Sequence, residues 1–114
     1  MANSMYPQAL IRATLPLAIL ACLEVAPAHG YGLAQHLEQW GYGKLKGGSL
    51  YPALSKLEDA GFVTTSWTQG EKGPARRLYA ITGAGHRHLE AQRSRLAELA
   101  QQLGALPVAL ATTG

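Results

Sequence analysis

Six cations fall between Lys44 and Tyr79, namely Lys44, Lys46, Lys56, Lys72, Arg76 and Arg77, against the three acids Glu58, Asp59 and Glu71. The first 43 residues hold only Arg12 against Glu24 and Glu38. A chain with a formal net charge of just +3 therefore gathers its positive charge in the middle, the footprint of a polyanionic partner. Interleaved with the cations are Ser49, Tyr51, Pro52 and Ser55 in "GGSLYPALSKLEDAGFV". Hydroxyl and aromatic groups of this kind meet base edges, while cations and backbone donors meet phosphates. Taken one at a time, the lysines are ordinary solvated side chains, Tyr51 is a packing residue, and Arg76 with Arg77 guards an edge strand. Their joint placement carries the reading.

Other chemistry finds little support. No nucleophile elbow, phosphate loop or paired carboxylate occurs, so no catalytic residue is nominated; neither an enzyme nor a cofactor is expected. In "GHRHLE", His86 and Glu90 share a helix face while His88 points elsewhere, so a metal would need a further ligand from another segment or subunit. A metal-responsive regulator built on His86 and Glu90 is an alternative, and no metal site is assigned. Cys22 is the single cysteine, which rules out an intrachain disulfide and fits a reducing cytoplasm. Arg12, the apolar run from Leu15 to Leu23 and "APA" at 26–28 imitate a signal peptide. The lone Arg and the intervening Glu24 argue against export, and the run is too short to span a bilayer. A cytoplasmic protein without a membrane partner is expected.

The elements that must position these residues follow from periodicity. Leu15 to Val25 forms a buried helix, with Thr14 as its cap and Pro16 in its first turn. Leu33, Leu37 and Trp40 stripe a second helix from Tyr31, ended by Gly41. After the connector "GYGKLKGG", Ser49 caps a third helix with Pro52 in its opening turn; it ends at Gly61. On it Leu54 and Leu57 lie within about 40° of Leu50, and the three face the core, turning Tyr51, Pro52, Ser55, Lys56 and Asp59 outward. "FVTTSWTQ" and "RRLYAI" are two strands joined through "GEKGPA". Trp40 and Trp67 belong to the core, with binding of an effector as their lesser role. From Thr82 a final helix of about 30 Å runs to Gly104, carrying a seam of Leu89, Leu96, Leu99 and Leu103. Pro107 and small residues then leave a tail that frays.

The fold class is mostly α with a small β-hairpin: a winged helix-turn-helix over residues 1–81, a dimerisation helix over 82–104 and a flexible tail over 105–114. The third helix would enter a major groove, with Lys44 and Lys46 ahead of it and Lys72, Arg76 and Arg77 on the wing beside it. A winged helix that docks proteins instead of DNA is the rival reading.

The segments "HGYGLAQHLE", "GGSLYPALSKLEDAGFV" and "GPARRLYAITGAGHRHLE" resemble the PadR-type transcriptional regulators across about Leu17 to Leu103. The resemblance implies a bacterial winged-helix repressor of the compact subfamily that dimerises through its C-terminal helix. It also implies release of DNA by a small hydrophobic effector in some members. On that likeness Ser49, Tyr51, Pro52 and Ser55 would read bases, and Lys72, Arg76 and Arg77 would touch the backbone. A homodimer on a pseudo-palindromic operator in double-stranded DNA is the expected working form.

Overall fold

Ile19 and Leu20, Leu33 and Leu37, Leu54, and Leu89 are the largest side chains wholly removed from solvent, and they come from four different helices. One core therefore joins α1 (Gln8–Val25), α2 (Gly30–Leu37), α3 (Gly47–Asp59) and α4 (Gly83–Thr113). Three short strands complete the fold: β1 (Ala28–His29), β2 (Val63–Thr68) and β3 (Arg76–Ile81). A computed structural model describes residues 4–45, 47–70 and 73–113. The architecture is a winged helix of mainly helical content with a small antiparallel sheet.

The leucine stripe of α3 behaves as its spacing dictates: Leu50, Leu54 and Leu57 are 2 %, 1 % and 5 % exposed. The helix stops through a Schellman closure, in which the Gly61 amide donates to the Glu58 carbonyl and the Phe62 amide to Leu57. Gly61 has φ 82°, a left-handed conformation that glycine adopts without a Cβ penalty. The chain passes directly into β2, which pairs antiparallel with β3 from Val63↔Ile81 to Thr68↔Arg76. Thr82 then caps α4, its hydroxyl accepting from the Gly85 amide at 3.0 Å and donating to the Gly61 carbonyl at 2.7 Å. That side chain ties the end of α3 to the start of α4.

Several boundaries differ from the sequence expectation. The first helix begins at Gln8, not Leu15, so Thr14 is no cap; its hydroxyl donates back to the Leu10 carbonyl and accepts from the Tyr42 hydroxyl at 2.7 Å. Pro16 consequently sits in the helix interior, where the missing donor costs about 3 kcal/mol, and the burial of Leu15, Ile19, Leu20 and Leu23 along the same helix outweighs it. At 18 residues and mean hydropathy 1.6 the helix is long and apolar enough to cross a bilayer, contrary to the shorter run read from sequence, yet its apolar face is the protein core. Ser49 is likewise not a cap, because α3 begins at Gly47. A π-helical turn over Glu38–Tyr42 extends α2, and Gly41 at φ 101° accepts at its carbonyl from the Met5 amide. β1 makes the hairpin a three-stranded sheet of order β1-β3-β2. The last helix does not stop at Gly104; its backbone stays helical to Thr113.

Candidate nucleic-acid interface

Every residue assigned to the outward face of α3 is exposed: Tyr51, Pro52, Ser55, Lys56 and Asp59. The helix presents this face between two clefts. On the wing side, Tyr51 joins His29, Tyr31, Trp67, Arg76 and Arg77 around a cleft of ≈ 330 Å³. On the other side, Ser49, Pro52 and Lys56 line a larger cleft with Lys44 and Arg12. The structure thus brings Tyr51 together with the wing arginines, and Lys44 together with Ser49 and Lys56. Lys46 and Lys72 lie outside the described residues.

Tyr51 owes its position to Gly30. A Cβ at Gly30 would stand 2.6 Å from the Tyr51 hydroxyl, so only glycine lets the phenol ring lie against the start of α2. Half of the Tyr51 residue remains exposed. The two wing arginines are not equivalent. Arg77 lies over the Trp67 ring, 5.6 Å from its centroid, and approaches Glu58 of α3 at 3.8 Å. Glu58 is itself fixed by the Thr65 hydroxyl, which donates to it at 3.0 Å. His29 Nδ1 donates to the Arg77 carbonyl at 2.7 Å and braces β1 against the wing. Arg76, by contrast, has no acidic partner among the described residues.

The two tryptophans leave the core to which the sequence assigns them. Trp67 is 66 % exposed because it faces Arg77, not Tyr79, across the hairpin; Tyr79 pairs with Thr65 and is buried. Trp40 is 41 % exposed and lines a separate cleft with Tyr6, Leu10, Thr14 and Tyr42, so the two do not form one effector site. Leu89 is also corrected: at 2 % exposure it is part of its own protomer's core and unavailable to a partner. Leu96, Leu99 and Leu103 remain exposed at 39 %, 50 % and 64 %.

His86 and Glu90 are engaged elsewhere. His86 Nδ1 faces Glu24 at 3.7 Å, Glu90 pairs with Arg93 at 3.3 Å, and His88 stacks on Phe62 with ring centroids 4.1 Å apart. No group of three or more metal-ligating side chains occurs among the described residues. Arg93 donates to Glu24 at 2.9 Å and clamps α4 to α1. This hydrogen bond, before the charge of Arg93, holds the Glu24 carboxyl below its ordinary range. Sequence spacing misses Arg12, because the helix that places it beside Lys44 and Lys56 is remote in the chain.

Residues 19–91 match the family model described as the transcriptional regulator PadR-like family. The chain is similar to the transcriptional regulator Rv3488 of Mycobacterium tuberculosis, at 37 % identity over 92 residues, covering 81 % of this chain and 84 % of that one. Among solved structures it resembles a PadR family transcriptional regulator from Eggerthella lenta, with TM-score 0.79, 31 % identity and coverage of 86 % and 85 % of the two chains. A PadR-like transcriptional regulator from Bacillus cereus shares the fold at TM-score 0.77 and 23 % identity, covering 87 % of this chain and 96 % of its own. The winged helix and these likenesses converge, and the chain belongs to the PadR-like family of transcriptional regulators.

Proposed function

We propose that the protein binds double-stranded DNA sequence-specifically as a homodimer and represses transcription from a pseudo-palindromic operator. The observation that carries this reading is the shared cleft of Tyr51 with Arg76 and Arg77, which sets a half-exposed tyrosine of α3 beside the wing cations. With α3 in a major groove, Tyr51 and Ser55 meet base edges, and Ser49 with Pro52 lies at the entering end. Lys44, Lys46, Lys56, Lys72 and Arg76 meet phosphates. Arg77 orders the wing through Glu58 and Trp67 and reaches the backbone only from that clamp.

Leu96, Leu99 and Leu103 supply the dimer contact, with exposed Leu10 of α1 alongside. Their apolar area is what a second copy would remove from water. A two-fold pairing would hold the two reading helices about 34 Å apart, one turn of duplex. A small hydrophobic molecule that releases DNA completes the regulator.

Fragments selected from random duplex by the purified protein supply the operator, and anisotropy titrations then test the assignment. Tyr51→Ala and Ser55→Ala are expected to reorder affinities among operator variants by about 1–3 kcal/mol at the contacted position, with a smaller loss on random DNA. Unchanged site preference in both variants would show that α3 does not read bases there.

A further inference from the structure

Between the first half of α1 and α3 lies a cleft of ≈ 730 Å³, the volume of a site for a small organic molecule. Its floor is largely aliphatic: Ile11, Leu15 and Leu57 are buried at 4 %, 5 % and 5 % exposure, and Leu45 and Phe62 are half-buried beside them. Its charged rim consists of Arg12, Lys44 and Lys56, with no acid among the lining residues. None of these three cations forms a salt bridge with a carboxylate among the described residues. On α1 the lining residues Gln8, Ile11, Arg12, Leu15 and Pro16 centre about 160° from exposed Leu10 and Ala13, so the cleft opens away from the face offered to a second copy.

We infer that this cleft binds an amphipathic carboxylate of the medium-chain fatty acid class, its chain on the aliphatic floor and its head group at Arg12, Lys44 and Lys56. Phosphate groups of DNA match the rim but offer nothing to the floor, and a neutral hydrocarbon leaves three cations unanswered. Ile11, Leu15, Leu45 and Leu57 outnumber the two rings of the lining, Tyr42 and Phe62, which favours a flexible alkyl chain over a planar aromatic ligand. Bidentate contact from the Arg12 guanidinium suits a carboxylate. Because Lys44 leads into α3 and Lys56 lies on it, a carboxylate held there withdraws two cations from phosphate and weakens DNA binding, and DNA in turn weakens the carboxylate. This coupling rests on the DNA-binding proposal; occupancy of the cleft does not.

Isothermal titration calorimetry of the full chain with submicellar decanoate, decyltrimethylammonium and acetate tests occupancy without DNA. Decanoate is expected to saturate at one molecule per protomer and to bind at least about tenfold more tightly than the other two. Arg12→Gln should weaken decanoate about tenfold, and Ala53→Met, which fills the cleft from α3, should weaken it further, with both circular dichroism melts close to wild type. Amide NMR shifts on adding decanoate should centre on Leu45, Ala53, Leu57 and Phe62. Equal binding of all three probes, unsaturable uptake, or unaltered affinity in both folded variants would overturn the site. In a separate anisotropy titration decanoate should lower DNA affinity; saturation of the cleft with no change in that affinity would overturn the coupling.

Discussion

Gly30 and Tyr51 illustrate how one missing Cβ sets the place of a side chain proposed to read bases. The obstructing atoms at Gly30 belong to the movable Tyr51 ring, not to backbone. Gly30→Ala should therefore cost little stability, about 1 kcal/mol or less, yet push the phenol off its seat and change operator preference; wild-type preference in a folded Gly30→Ala protein would detach Tyr51 from base reading. Arg76→Ala should weaken specific and random DNA alike and reduce the salt slope by about 1, as loss of a phosphate contact does. Arg77→Ala should also lower the melting temperature, because it removes the partner of Glu58 and the cover of Trp67. Cys22 is 7 % exposed, and burial raises its thiol to about 11. It should react with thiol reagents only as fast as the protein unfolds, measured by comparing labelling with and without denaturant. The outward residues of α3 were legible from helical periodicity alone. Trp67 was not, because a large aromatic ring suggests burial while strand register gave it an exposed place opposite Arg77.

At the level of elements, the joint between α3, β2 and α4 is tight. A Cβ at Gly85 would collide with the Phe62 carbonyl oxygen and the Ile81 side chain. Gly85→Ala should destabilise by about 1–3 kcal/mol, seen as a lower thermal midpoint. The α1–α4 clamp is pH-sensitive. Glu24 titrates below its ordinary value of 4.5 in the folded protein because Arg93 donates to its carboxylate. Its contribution is full above that ordinary value and disappears as pH falls through the lowered one. Glu24→Gln should flatten this part of the acid-side stability profile, measured by denaturant melts between neutral and acidic pH. The three core stripes, the hairpin and the stop at Gly61 could be read from spacing. Helix starts could not: Pro16 and Ser49 carry first-turn signals, yet α1 runs back past Pro16 with Ile11 buried, and α3 begins at Gly47. The two residues of β1 have no period to detect, and Gly104 costs a helix only about 1 kcal/mol, too little to end one.

As a whole the protomer is elongated, with extents of 65 × 36 × 21 Å, and α4 alone accounts for about 46 Å of helix. A protruding helix with Leu96, Leu99 and Leu103 exposed invites a second copy. Leu96→Glu should yield monomers in sedimentation while leaving the protomer folded, since Leu89 and the core stay intact; an undisturbed dimer would refute that seam. The central claim is that two reading helices and their flanking cations engage one duplex. Its most direct test is fluorescence anisotropy of a labelled operator across a range of salt concentrations. About four phosphates neutralised per protomer give a log-log slope near −7 for the dimer. A slope near zero, or affinity indifferent to loss of Lys44, Lys56 and Arg76 together, would contradict the account.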